Sequence, residues 1–229
     1  MVQLWAMLAV PLGDTRHWGG MGDFPMNRGD FSAREVVDRR MMARCIELSR
    51  AGAAAGERPF GSVVARGAEI LGESANRTER EGDVSRHAEI VAIAQARKLL
   101  GGARLAECTL YTNVEPCPMC AFCIREAGIG RVVFALGSPV MGGLSRWNVL
   151  RDDTLSDGIP FVFGAVPEVV SGVLAEEAGE AWREWNPLAW HVIKLRGFMV
   201  APHAAQPRVV PGHRPRPLRH LVRSLFRPA

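Results

Sequence analysis

Behind Ser32 the apolar positions Val36, Val37, Met41, Cys45, Ile46 and Leu48 recur at helical spacing, and Glu35 three residues after Ser32 completes a capping box. The pattern predicts a helix that closes near the Gly52 to Gly56 segment. The period then changes: Gly61 to Arg66 and Glu69 to Ser74 read as two strands around a turn at Gly67. Ile90, Val91, Ile93, Ala94 and Leu99 return to helical spacing, so a second helix opens near His87. Thr109 to Asn113 predicts a strand, Cys117 to Ala127 a helix stopped by Gly128, and Arg131 to Leu136 another strand. Beyond Ile159, Phe161 to Phe163 and Glu168 to Val173 read as short strands and Ala175 to Trp185 as a helix. Alternating strands and helices imply the α/β class, as a three-layer α/β/α sandwich around a mixed, mostly parallel sheet.

The ends break this pattern. Val2 to Leu12 is apolar, lacks a basic flank and is too short to span a bilayer, and Gly13 to Asp30 has no periodicity. Residues 1–30 therefore read as a poorly ordered leader; either the native chain starts at Met26, or the leader is a hydrophobic arm packed on a neighbour. Residues 31–190 form the expected domain, and 191–229 an extension. From Pro202 the extension holds six prolines, six arginines and no acid, a composition expected to stay disordered. Subtracting those six charges from the net +4 of the 229 residues leaves −2 for residues 1–201. Such a tail offers salt-sensitive affinity for nucleic acid or anionic lipid, although 26 arginines against two lysines along the chain make genome composition the preferred explanation.

The five cysteines are odd in number, and three lie within residues 117–123, which argues against a disulfide framework and for the cytoplasm. His87 and the pair Cys117 and Cys120 form a ligand set soft enough for Zn²⁺, and three protein ligands leave a fourth position for water. Helix starts at His87 and Cys117 would aim both ends at one ion, with thiolates favoured in the first turn. Glu89 cannot easily join the ligands but can reach the water and move its proton. Cys123 lies about 9 Å along the helix axis from Cys117 and reads as a small buried residue, as does Cys45.

His87-Ala88-Glu89 followed by Pro116-Cys117-Pro118-Met119-Cys120 resembles the signature of the zinc-dependent nucleobase deaminases, the cytidine deaminase-like superfamily. The resemblance extends over roughly residues 35–185. It includes Pro59-Phe60-Gly61-Ser62-Val63-Val64 as a first strand, and Asn76, which stands where that family keeps a substrate-binding asparagine. It implies a Zn²⁺ hydrolase with Glu89 as the proton shuttle, a purine base or nucleoside as substrate, and a homodimer. Phe60, Ala88, Asn76 and Trp147 are the candidate substrate contacts. Trp147 follows the loop Ser138 to Gly143, where an aromatic either stacks on a base or anchors the loop in the core.

A free purine, guanine first, is the preferred substrate, and adenosine in tRNA the second. The Pro59-Phe60-Gly61 entry and Pro118 resemble the guanine-deaminase branch. The Lys-Thr-Gly stretch usual in tRNA adenosine deaminases is missing after Ser138. A tRNA enzyme must also neutralise several phosphates, while residues 1–201 sum to −2. The charged run 78–86 reads as a solvated loop, and Trp182 with Trp185 as helix packing rather than a lid.

Overall fold

The computed structural model describes residues 32–201; the leader and the basic tail lie outside them. The elements run α1 (Ala33–Ala54), β1 (Gly61–Arg66), β2 (Glu69–Ala75), α2 (Thr78–Glu81), α3 (Ala88–Leu99), β3 (Thr109–Val114), α4 (Pro118–Ala127), β4 (Arg131–Leu136), a 3₁₀ turn at Val149–Arg151, α5 (Asp153–Gly158), β5 (Glu168–Ser171), α6 (Ala175–Trp185) and α7 (Pro187–Leu195). The capping box forms as expected: the Glu35 amide donates to the Ser32 hydroxyl and the Ser32 amide to the Glu35 carboxylate.

The five strands lie in the order β2-β1-β3-β4-β5. β1 pairs antiparallel with both β2 and β3, while β3–β4 and β4–β5 are parallel. The sheet is mixed, and parallel pairing makes up half of it instead of most. The short turn at Gly67 forces β2 to run against β1, and the α3 crossover then carries the chain over β1 to lay β3 parallel to β2.

Strand alternation divides the core into the two faces of a sandwich. Val64, Leu110, Val132 and Phe134 face α3 and α4, where they meet Ala92, Ile93, Ala121 and Ile124. Val63, Ala65, Tyr111 and Val133 face the other way, onto Met41, Met42 and Ile46 of α1 and Ala178, Ala181 and Trp182 of α6. Cys45 is buried in this second cluster. Gly61 allows α1 to lie close: a Cβ there would come within 2.1 Å of the Cys45 carbonyl oxygen. Across the same face Arg131 grips Asp38 with two bonds of 2.7 Å, and the Tyr111 hydroxyl donates to Asp38 at 2.9 Å.

Three expectations change. Phe161 to Phe163 is a turn, not a strand; Phe161 is exposed, so no sheet neighbour supports extended pairing there. Residues 78–86 are not a plain solvated loop, because they contain α2 and four of them line the cavity described below. α7 crosses the boundary expected at 190, and Val200 pairs with Gly137 beyond it. No helix of the described residues is long and apolar enough to cross a membrane.

Candidate active site

Two helix starts converge below the sheet's carboxyl end. His87 is the N-cap of α3, Cys117 the N-cap of α4 with Pro118 at its first turn, and Cys120 follows one turn later. Proline suits this place because its missing N–H would have no helical partner there. The Cys117 sulfur lies 3.6 Å from His87 Nδ1 and 3.6 Å from the Cys120 sulfur, and Cys120 lies 3.4 Å from the same ring nitrogen. A tetrahedral zinc bonded to sulfur at about 2.3 Å and to imidazole at about 2.0–2.1 Å needs S···S near about 3.8 Å and S···N near about 3.5 Å. The three donors match those edges, so the site fits Zn²⁺ with a fourth position left open. Cys123, on the same helix, is not in this group.

The donor set is primed even without the ion. Hydrogen bonding from Cys120 is the main cause that brings the Cys117 thiol down to about 4, and the reciprocal contact together with burial pushes Cys120 up. The bond to Cys117 also raises His87 above its ordinary value. Glu89, in the first turn of α3 and 5% exposed, is pushed up to about 7, chiefly by burial and then by the nearby Cys117. A carboxyl poised there holds or releases a proton near neutral pH.

Above these groups opens a cavity of about 760 Å³. Phe60, Asn76, His87, Glu89 and Cys117 line it; Ala88 and Trp147 do not. Ala88 is fully buried against the core, and Trp147 is 58% exposed with the Arg146 guanidinium over its ring at 5.6 Å. The structure therefore does not bring either of them to the cavity, nor does Trp147 anchor its loop in the core. Glu115 explains where that loop goes. Its buried carboxylate accepts the amides of Ser138 (2.7 Å), Leu144 (3.0 Å) and Ser145 (2.7 Å), and the Ser145 hydroxyl at 2.8 Å. Gly142 passes so close that a Cβ would sit 2.0 Å from Glu115 Oε1. The loop is wound around the carboxylate, which brings Met141 to the cavity and leaves Trp147 facing solvent.

Two further polar residues position the rim. The Asn113 amide, fully buried, accepts from the Gly61 amide (3.0 Å) and donates to the Pro59 carbonyl (2.8 Å), which sets the backbone that presents Phe60. Glu57 accepts from the Asn76 side chain (3.0 Å) and from the amides of Glu79 (3.2 Å) and Arg80 (2.8 Å). Burial pushes the Glu57 carboxyl up, yet these three donors outweigh it and hold it below its ordinary value. The far wall comes from the C-terminal helices: Trp182, Trp185, Ala189 and Ile193, with Phe198 and Met199 beyond them. Trp182 meets Phe60 edge-on at 5.0 Å, Trp185 at 5.6 Å and the Trp190 ring at 6.4 Å. Helix packing and cavity wall are thus the same contact. Glu57, Glu115 and Asn113 carried no local signal, since their partners lie far along the chain.

Residues 36–136 match the family model described as the cytidine and deoxycytidylate deaminase zinc-binding region. The tRNA-specific adenosine deaminase of Haemophilus influenzae is 36% identical over 149 residues, covering 64% of this chain and 82% of that protein. The chain belongs to the cytidine deaminase-like family of zinc-dependent deaminases. The Bacillus subtilis tRNA-specific adenosine deaminase is 37% identical, covering 62% of this chain and 84% of its own length. A tRNA(Ile)-lysidine synthase of Deinococcus deserti is 36% identical over 144 residues, and there the chain spans only 26% of the relative's length. Among solved structures, a tRNA:A34 deaminase superposes with a TM-score of 0.52 at 31% identity, covering 62% of this chain and 98% of that one. A guanine deaminase from Nitrosomonas europaea superposes at 0.53 and 25% identity, covering 65% and 84%.

Proposed function

We propose that this deaminase-family chain hydrolyses the exocyclic amine of a purine, releasing ammonia, and that a free base, guanine first, is its preferred substrate. The observation that carries the substrate class is the cavity lining. It is an apolar and aromatic chamber in which the one arginine, Arg58, lies 3.6 Å from Glu79, so no unpaired cation among the described lining residues awaits a phosphate. A neutral, flat heterocycle suits such walls, with Phe60 and Trp182 offering ring faces or edges.

His87, Cys117 and Cys120 would hold the zinc. Bound there, Zn²⁺ supplies the Lewis acidity that makes water nucleophilic at neutral pH. Glu89 moves the protons: it takes one from the attacking water, passes it to the ring nitrogen beside the reacting carbon, and delivers the next to the departing amine as the C–N bond breaks. Asn76 and Phe60 orient the base. The expected enzyme is cytoplasmic, a reading supported by five free cysteines, and a homodimer, as the family resemblance implies.

Adenosine in tRNA is the second reading, favoured by identities of 36% and 37% to tRNA-specific adenosine deaminases. The zinc-loaded protein given guanine, adenine, cytosine and an anticodon stem-loop in parallel separates the two. Xanthine and ammonia from guanine support the first reading; inosine in the stem-loop with the free bases untouched supports the second.

A further inference from the structure

Asn76 stands at the end of β2 and is 5% exposed, with its side chain on the cavity. An amide can face a ligand with its oxygen, an acceptor, or its nitrogen, a donor, and the two look alike in shape. Here the surroundings decide. Glu57 is ionised and can only accept, so the group 3.0 Å from its Oε2 must be the Asn76 NH₂. The second hydrogen of that NH₂ goes to the Thr78 hydroxyl oxygen at 2.7 Å. Glu57 itself cannot turn away, because the Glu79 and Arg80 amides hold both of its oxygens at the start of α2. Both hydrogens of Asn76 are therefore spent, and among the described residues no donor meets its carbonyl oxygen.

We propose that Glu57 is a specificity-determining positioning residue: it locks Asn76 so that the cavity presents a hydrogen-bond acceptor, and thereby selects purines that carry a ring N–H. A free base has such a hydrogen on its imidazole ring. An N9-substituted nucleoside offers only a bare N7 there, which would set acceptor against acceptor. Such a mismatch in a buried site leaves polar groups unpaired and discriminates far more sharply than a change in apolar size. This inference rests on the purine reading above and deepens it, by giving the free base its reason.

The experiment transposes the pair. In Glu57→Gln the NH₂ that replaces Oε2 can donate to Asn76 at the loss of the Glu79 amide bond, which frees the Asn76 amide to turn; KM for guanine should rise about ten-fold or more while kcat changes less than about three-fold. Asn76→Asp places two carboxylates together and should raise KM similarly. The double variant, Glu57→Gln with Asn76→Asp, again points an oxygen into the cavity and should return KM to within about three-fold of the parent. A double variant no better than the worse single, with zinc content and unfolding midpoint intact in all three, overturns the proposal. Unchanged KM in Glu57→Gln does the same. Should the variants not fold, the parent protein decides alone with 2-aminopurine and its 7-methyl and 9-methyl derivatives, which lack any ring N–H. Both derivatives binding about ten-fold weaker or more supports the lock, and either one binding equally overturns it. Failure of the purine reading looks different, since the parent would then release no ammonia from guanine and bind none of the three probes.

Discussion

Two buried glutamates flank the metal ligands at equal distance, Glu89 two residues after His87 and Glu115 two residues before Cys117. Both are about 5% exposed or less. Both line the same cavity, but their hydrogen-bond partners differ. Glu115 is held by three main-chain amides and a hydroxyl, and winds the loop after β4 around itself. Glu89 opens on the cavity beside Cys117, and burial pushes it up to about 7. A carboxylate surrounded by donors is spent on architecture; one that burial leaves poised is available for proton transfer.

Breaking the metal end of this comparison has the largest effect. Cys117→Ala or His87→Ala should lose zinc and activity together, measured by metal analysis on purified protein beside an ammonia assay. Retained activity without zinc would dissolve the distinction between the two glutamates.

The scaffold end is next, and the buried pair of Asp38 with Arg131 sets its scale. Asp38→Asn leaves Arg131 with only the half-exposed Glu168, 3.3 Å from its Nε, as a charged partner and should cost about 3 kcal/mol near pH 7. Burial raises the Asp38 carboxyl, but the bonds from Arg131 and Tyr111 together bring it below its ordinary value. A depressed folded-state pKa stabilises above the unfolded value, about 3.9, and that stability is lost as pH falls through the folded value. The gap between parent and variant in urea unfolding should therefore be full at pH 6 and close as pH falls below the unfolded value and through the folded one. A gap independent of pH would remove the ion pair as its cause.

Glu115→Gln sharpens the comparison directly. Losing the charge that gathers four donors should lower stability by about 1.5–3 kcal/mol while zinc is retained, as read by unfolding and metal analysis. The smallest effect belongs to Trp147→Ala, within about 0.5 kcal/mol of the parent and with little change in turnover, since this ring is exposed and outside the cavity. Trp182→Ala, by contrast, should cost about 3–5 kcal/mol and damage the cavity wall.

The pattern of what was legible follows from range. His87, Glu89, Cys117 and Cys120 stood out because each pair, His87 with Glu89 and Cys117 with Cys120, sits at a helix start whose caps and spacing are local, so the two starts needed only to meet. The strands β1 to β4 and helix α6 were equally local. What depended on distant partners was not legible: Glu57 finds Asn76 nineteen residues on, Glu115 gathers a loop 23 to 30 residues on, and the Trp182 wall reaches back to Phe60. The outward direction of Trp147 was not legible for the same reason, because the loop that carries it is wound around Glu115. The short α2 was hidden within a charged run whose end is tied down by a buried carboxylate upstream.

Glu89→Gln is the most direct test of the central claim that Glu89 moves protons for a metal it does not bind. Zinc content and ammonia release from guanine are measured on the same preparations of parent and variant. The expected result is equal zinc and turnover lower by about 10²- to 10⁴-fold. A variant that holds zinc and remains fully active would contradict it.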